Sequence, residues 1–359
     1  MSCTLLLKPS SKTPGGLEKY AERIRQAFIE KGSKVVTLEP KDAHLKAWPN
    51  FIRLEQFDRF AQNFIKKHKP DLIFGMERNR FQTHLRAGNG VHAAYLKTRS
   101  PLKAFFSKFN PLHQKILELE KAGFENPLLQ KLFTNSYMVK DQVLQYYNVD
   151  PSKIKVIHNG VEWEEMQGDF DAWEAKRESI LQKLKLNPSH FHFLFIGNGF
   201  LRKGLDPLLK ALAMLQNKEV HLCVVGKDKN LPLYQHKLDQ LGLTHQVRFF
   251  GMSQEVRTFY QMADALVIPS FYDPFANVTL EALAMGLWVT SSKTNGAHEI
   301  LNPTNGNIIE DLVHVDAITN ALKLALKHPK TKISSINTRL SVKHLSFSKQ
   351  LATLMDFCG

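Results

Sequence analysis

The chain is short of cysteine. Cys3, Cys223 and Cys358 are scattered over 359 residues. They have no paired ligand spacing and cannot form a disulfide framework. A zinc knuckle and a disulfide-stapled secreted scaffold are therefore not expected, and a reducing, cytoplasmic setting is. Long apolar runs are also missing. No stretch approaches the roughly 20 residues that cross a bilayer, and the N-terminal residues lack the charged-then-apolar order of a signal peptide. There is no internal repeat and no low-complexity tract. Nor is there a dinucleotide fingerprint, because the loop GNGFLRKG (197–204) has no third glycine at the required spacing. Acid is scarce in one half only. Residues 1–160 hold 27 Lys or Arg against 14 Asp or Glu, a net +13, while residues 161–359 hold 21 against 20.

What is present is the composition of a soluble globular protein, 43% hydrophobic and 23% charged. The length exceeds one ordinary core and suits two domains. The basic first half should meet something anionic: a membrane surface, a phosphorylated glycolipid or a nucleic acid. Its cations are spread over several elements and spell no nucleic-acid recognition motif, so no nucleic-acid partner is expected.

Short apolar runs alternate with helical periodicity along the whole chain, which predicts parallel α/β units. Strands are expected at 3–7, 34–38, 72–75, 131–133, 154–157, 191–196, 221–225, 246–250, 265–268, 287–291 and 307–310. Helices are expected at 17–31, 51–68, 138–147, 205–215, 256–262, 316–328 and 341–357. Residues 294–299 should enter a further helix.

One stretch carries the densest chemistry, FYDPFANVTLEALAMG at 271–286. It follows the apolar strand ending near Ile268. A loop acid, Asp273, precedes a helix starting at Asn277 or Val278, and Glu281 lies one turn further on. A helix start offers unpaired N–H groups to a phosphate, and acids beside it suit sugar hydroxyls. An acidic first helical turn also satisfies the macrodipole without any ligand. In GNGFLRKG, Arg202 and Lys203 stand between a strand end and a helix, where Arg can grip two phosphate oxygens and Lys can act as a point charge. Gly15 and Gly16 open the first helix and would let a backbone approach a bulky group. Asn89 and His92 lie in the glycine-rich RAGNGVH stretch, where His92 could bond a sugar hydroxyl or steady a developing charge in catalysis, or is a plain loop histidine. Residues 95–109, YLKTRSPLKAFFSKF, interleave aromatics with cations and contain no acid. They would sit on an anionic membrane, or else pack Phe105, Phe106 and Phe109 into a core. Asp169 and Asp171 spell D-x-D, a metal-diphosphate pattern elsewhere, but here helix-start acids explain them better.

The stretch at 271–286 resembles the E-x7-E motif of retaining family 4 glycosyltransferases, with Asp273 where most members carry Glu. The likeness extends over nearly the whole second half, and over the glycine loop, strand order and junction at His158-Asn159-Gly160-Val161 in the first. Residues 86–92, 196–215 and 224–229 are similar to those of lipopolysaccharide-core glucosyltransferases, with Asn89 where Asp is usual. The resemblance implies an α/β GT-B fold, two doubly wound Rossmann-like domains facing a cleft. The expected bounds are 1–161 for an acceptor-binding domain, 162–340 for a nucleotide-sugar domain, and 341–359 for a helix crossing back.

It further implies hexose transfer with retention, from UDP-glucose in the first instance, to a lipopolysaccharide core or related glycolipid. No metal and no cofactor beyond the donor would be needed. Arg202 and Lys203 would hold the diphosphate, Glu281 the ribose and Asp273 the hexose hydroxyls. The main chain from Phe275 through Ala276, Asn277 and Val278 to Thr279, with Gly15 and Gly16, would approach the diphosphate and sugar. A cytoplasmic location with peripheral association to the inner membrane is expected. Open alternatives are a mannosyl or N-acetylhexosaminyl donor, a basic nucleic-acid-binding protein, and a non-catalytic nucleotide-sugar binder.

Overall fold

A computed structural model describes residues 2–8, 16–43, 49–76 and 78–358. The chain divides into two units, Met1–His158 with Gln350–Gly359, and Asn159–Lys349.

The first unit holds β1 (Cys3–Leu7), β2 (Lys34–Leu38), β3 (Leu72–Gly75), β4 (His84–Arg86), β5 (Lys131–Thr134) and β6 (Ile154–Val156), in one sheet of order β2-β1-β3-β4-β5-β6. Every neighbouring pair is parallel. Leu5, Leu6, Leu7, Phe74 and Phe133 are fully buried, because strands covered on both faces must be apolar throughout. Phe74 stacks on Phe133 and meets Phe28 edge-on at 5.9 Å.

The second unit holds β7 (Phe191–Ile196), β8 (Val220–Val225), β9 (Val247–Gly251), β10 (Ala265–Ile268), β11 (Trp288–Ser292) and β12 (Gly306–Ile309), in the order β12-β11-β10-β7-β8-β9. This sheet is parallel too. The order reverses between β7 and β10, so a crevice opens where the loops after these two strands part. The helix Leu205–Leu215 shows why such a sequence folds this way. Its Leu205, Leu208, Leu209, Ala211 and Leu212 form one buried stripe, while Lys210 stays on the exposed side.

Several expectations need correction. Strand β4 was not anticipated: three residues are too few for a period to show. The helices Pro111–Phe124, Leu231–Leu241 and Lys332–Ser341 were also missed. The expected C-terminal helix from 341 begins only at Phe347. Ser341 ends the preceding helix, and a 3-10 turn at Lys343–Leu345 intervenes. The break is set by distant pairing: the Val161 N–H donates to Leu345 O (3.0 Å), and the Phe347 N–H donates to Val161 O (2.8 Å). Residues 296–300 form a 3-10 turn rather than entering an α-helix.

Candidate functional site

In the second unit, the loops after β7 and β10 meet at the reversal point. Contact begins at the backbone. Gly204 has φ +78°, and a Cβ there would lie 1.8 Å from Pro269 O. Only glycine lets the 197–204 loop cross so tightly over the end of β10. The Phe271 N–H then donates to Arg202 O (2.9 Å). On its other side the loop is tied to the end of β8, with the Phe200 N–H donating to Asp228 Oδ2 (2.7 Å) and the Lys227 N–H to Asn198 Oδ1 (2.9 Å).

This crossing brings both cations onto the loop acid. Lys203 Nζ donates to Asp273 Oδ2 at 2.5 Å, and Arg202 Nη1 to the same oxygen at 3.1 Å and to Tyr272 O at 2.8 Å. Lys203 is only 7% exposed, so it is not a solvated loop cation. Asp273 Oδ1 has no bonding partner among the described residues, which leaves one carboxylate oxygen for a ligand hydroxyl. Two cations against one carboxylate leave the cluster electropositive.

The helix beyond the acid runs from Asn277 to Ala284, as its sequence suggests. Its N-cap, Ala276, has no side chain that can cap; the Thr279 N–H turns back onto Ala276 O (2.9 Å), and the Asn277 and Val278 amides at the helix start could meet another acceptor. Asn277 is exposed and Val278 half-buried, while Phe275, Ala276 and Thr279 are buried. Asn159 Nδ2 donates to Asn277 Oδ1 (2.7 Å).

Buried Asn295 fixes the entry to this helix. Its Oδ1 accepts from the Ala276 N–H (3.0 Å), and its backbone bridges to that of Asp273. Half-buried Glu281 accepts from the Tyr260 hydroxyl (2.7 Å). Burial raises the Glu281 carboxyl above the ordinary range. Burial, with the Glu281 charge beside it, pushes the Tyr260 phenol well up.

The remaining expected residues belong to the first unit. Gly15 lies outside the described residues, and Gly16 is the first residue of the helix Gly16–Glu30. Asn89 is exposed. His92 is not a loop residue: it opens the helix His92–Lys97 and is buried. Its N–H donates to both oxygens of Glu120 (3.0 and 2.9 Å). Glu120 also accepts from Arg78 Nε (3.0 Å) and the Tyr147 hydroxyl (2.6 Å). Burial and the nearby Arg78 lower the His92 pKa to about 4.

The aromatic run is no core. Phe105, Phe106 and Phe109 are 53%, 61% and 66% exposed, and the Phe105 ring meets the other two edge-on. Asp169 of the D-x-D is paired with Arg257 Nη1 at 3.0 Å. Among the described residues no group of three or more His, Cys, Asp or Glu could hold a metal ion, and no helix is long and apolar enough to cross a membrane.

Asn295, Tyr260 and Asp228 were missed as supports of the site. Each lies well away in sequence from the residue it holds, and no local spacing marks it.

The sequence and the fold have counterparts. Residues 14–165 match Glycosyltransferase Family 4, and residues 176–338 match Glycosyl transferases group 1. The chain belongs to the GT-B glycosyltransferases. This glycosyltransferase is similar to lipopolysaccharide glucosyltransferase WaaG of Escherichia coli K12, at 24% identity over 328 residues, covering 87% of this chain and 86% of that one. A crystal structure of WaaG, described as involved in lipopolysaccharide biosynthesis, superposes with a TM-score of 0.80 at 21% identity over 99% of both chains. The uncharacterized glycosyltransferase MJ1607 of Methanocaldococcus jannaschii is 32% identical over 178 residues, which is 48% of this chain and 44% of that protein. This glycosyltransferase therefore spans less than half of MJ1607 and most of WaaG. Anabaena HepE in complex with UDP-glucose has the same fold, with a TM-score of 0.67 at 17% identity over 99% of both chains.

Proposed function

We propose that this glycosyltransferase moves a hexose, glucose from UDP-glucose in the first instance, to a hydroxyl of a lipopolysaccharide-core or related glycolipid, with retention of configuration. The observation that carries the reading is the Arg202–Lys203–Asp273 cluster at the strand-order reversal, beside a helix start with no side-chain cap. A departing nucleoside diphosphate gains negative charge, and fixed donors that need not reorganise stabilise it best. Diphosphate oxygens would compete with Asp273 Oδ2 for the Arg202 and Lys203 donors and take up the first amides of the 277–284 helix. Asp273 Oδ1 would accept a hexose hydroxyl, and Glu281, oriented by Tyr260, would accept from the ribose. A donor phosphate oxygen would take the acceptor's proton, so no side chain need act as nucleophile. In this reading the cations replace a divalent ion and no cofactor is required. WaaG, by its name a lipopolysaccharide glucosyltransferase, supports the choice of sugar and acceptor class.

The exposed Phe105–Phe106–Phe109 group supports a second element, peripheral contact with an anionic membrane. Aromatic rings bury at the headgroup boundary, and Lys97 and Lys108 would meet the lipid charge.

The test is a donor panel of UDP-glucose, GDP-mannose and UDP-N-acetylglucosamine, assayed with a lipopolysaccharide-core acceptor in the presence of EDTA. Transfer from UDP-glucose with an α-linked product by NMR is expected. Loss of turnover on chelation removes the metal-free reading. Transfer from another donor alone redirects the sugar assignment. Binding with neither transfer nor donor hydrolysis would mean a nucleotide-sugar binder.

A further inference from the structure

His92 ends a chain of ring contacts within the first unit. Arg99 Nη1 lies 3.0 Å from His113 Nε2 and donates to Ser107 Oγ at 2.5 Å. His113 Nδ1 in turn lies 3.0 Å from His92 Nε2. The direction of these bonds follows from one fact: a guanidinium can only donate. His113 Nε2 must therefore accept, which places the proton of a neutral His113 on Nδ1. That proton points at His92 Nε2, which must accept as well, so the proton of a neutral His92 sits on Nδ1. No described residue bonds His92 Nδ1.

We propose that Arg99 and His113 are positioning residues that lock His92 in the Nδ1–H tautomer, so that it presents a hydrogen-bond donor to a ligand oxygen. Three observations support the arrangement. The His92 backbone is pinned by both Glu120 oxygens, which fixes the helix start from which the ring projects. The His92 and His113 rings are held 5.1 Å apart. Burial lowers the pKa of both imidazoles, with Arg99 adding to the effect, and His92 reaches about 4. Both rings therefore stay neutral near pH 7, and the tautomer carries the information. A locked donor favours a sugar hydroxyl or a charged oxygen and rejects a ligand group that can only donate. The assignment of the ligand as a sugar oxygen rests on the proposed function; the tautomer itself does not.

The experiment uses the full chain with 15N-labelled histidine, observed by long-range 1H–15N correlation at pH 7.5. Wild type is expected to show His92 protonated at Nδ1 and bare at Nε2. In Arg99→Met the obligate donor is gone. His113 is then free to carry its proton on Nε2, and His92 should shift toward the Nε2–H form. In His113→Leu, His92 should become a tautomer mixture. If either variant fails to fold, the other and the wild-type spectrum still decide. Wild-type His92 protonated at Nε2, or an unchanged His92 signature in both variants, overturns the proposal. Kinetics on the same variants should show KM for a ligand sugar raised roughly tenfold with kcat less affected, the scale of one lost hydrogen bond. A shifted tautomer with unchanged KM overturns the ligand role. Absence of any glycosyl transfer by wild type, with the expected spectrum, strikes the proposed function and leaves the relay standing.

Discussion

The two units solve different problems with the same architecture. Both are six-stranded parallel sheets, yet residues 1–160 carry a net +13 and the rest are nearly balanced. In the second unit the functional charges are paired in advance: two cations share one carboxylate oxygen. In the first, the helix start after β4 carries His92, whose ring is aligned through His113 by the Arg99 guanidinium, and burial lowers both imidazoles. The contrast fits a division of labour. On the proposed function, one unit would handle a constant and heavily charged part of the substrate, and the other would grip neutral hydroxyls and an anionic surface. Charge needs counter-charge that survives while the site is empty; hydroxyl recognition needs directed donors.

The largest effect that sharpens this comparison is acid. His84 and His92 in the first unit and His192 in the second are each lowered to about 4, from an ordinary 6.5, by burial. A base whose folded pKa is depressed binds fewer protons folded than unfolded. The stability linked to it is fully present above pH 6.5 and drains as pH falls toward 4. At pH 5 the loss is about 2 kcal/mol per histidine. Urea unfolding at pH 7 and pH 5 should show the denaturation midpoint falling, with the first unit melting earlier. Equal midpoints at the two pH values would contradict the burial of these rings.

Next comes Lys203→Ala. It should cost about 3 kcal/mol of transition-state stabilisation, seen as a fall of about two orders of magnitude in kcat. It should also cost roughly 3 kcal/mol in folding, because Asp273 loses its closest partner. The paired change Lys203→Met with Asp273→Asn should restore the folding loss by denaturant titration but not the turnover. Recovery of both would break the idea that the cluster serves charge development.

A smaller effect is expected for Glu281→Gln. Affinity for free UDP should weaken by about 2 kcal/mol, the worth of a hydrogen bond to a charged group, while the melting temperature moves little. Calorimetry reads this directly, and unchanged affinity removes the ribose assignment. The mildest change is Phe105→Ser with Phe106→Ser and Phe109→Ser. Co-sedimentation with anionic vesicles should drop, and turnover on a short soluble acceptor should hold. Undiminished vesicle binding would move the membrane contact elsewhere.

Much of the second unit was legible because its strands are unbroken apolar runs and its loops carry compact motifs. Pattern alone marked Asp273, Arg202, Lys203 and Glu281 as candidates, and the structure gathers the first three at one place. What pattern did not reveal is that the cations and the acid are paired with one another, since they lie about 70 positions apart and meet only where the strand order reverses. Asn295 and Tyr260 were invisible for the same reason. In the first unit, β4 is too short to show a period, and His92 read as a loop residue because glycines precede it. Its helix is six residues long, shorter than pattern can recognise. The helix break before Phe347 is set by pairing with Val161 and left no local trace.

The close approach of Gly204 to Pro269 has a consequence for speed as well as for shape. A turn wedged against a neighbouring strand end has no room to relax when a ligand comes or goes. The backbone that carries its donors should look alike in empty and occupied enzyme. On the proposed function, little of the reorientation that a mobile loop undergoes on every catalytic cycle would be needed here. A methyl group at that single position should therefore slow each cycle even in molecules that still fold.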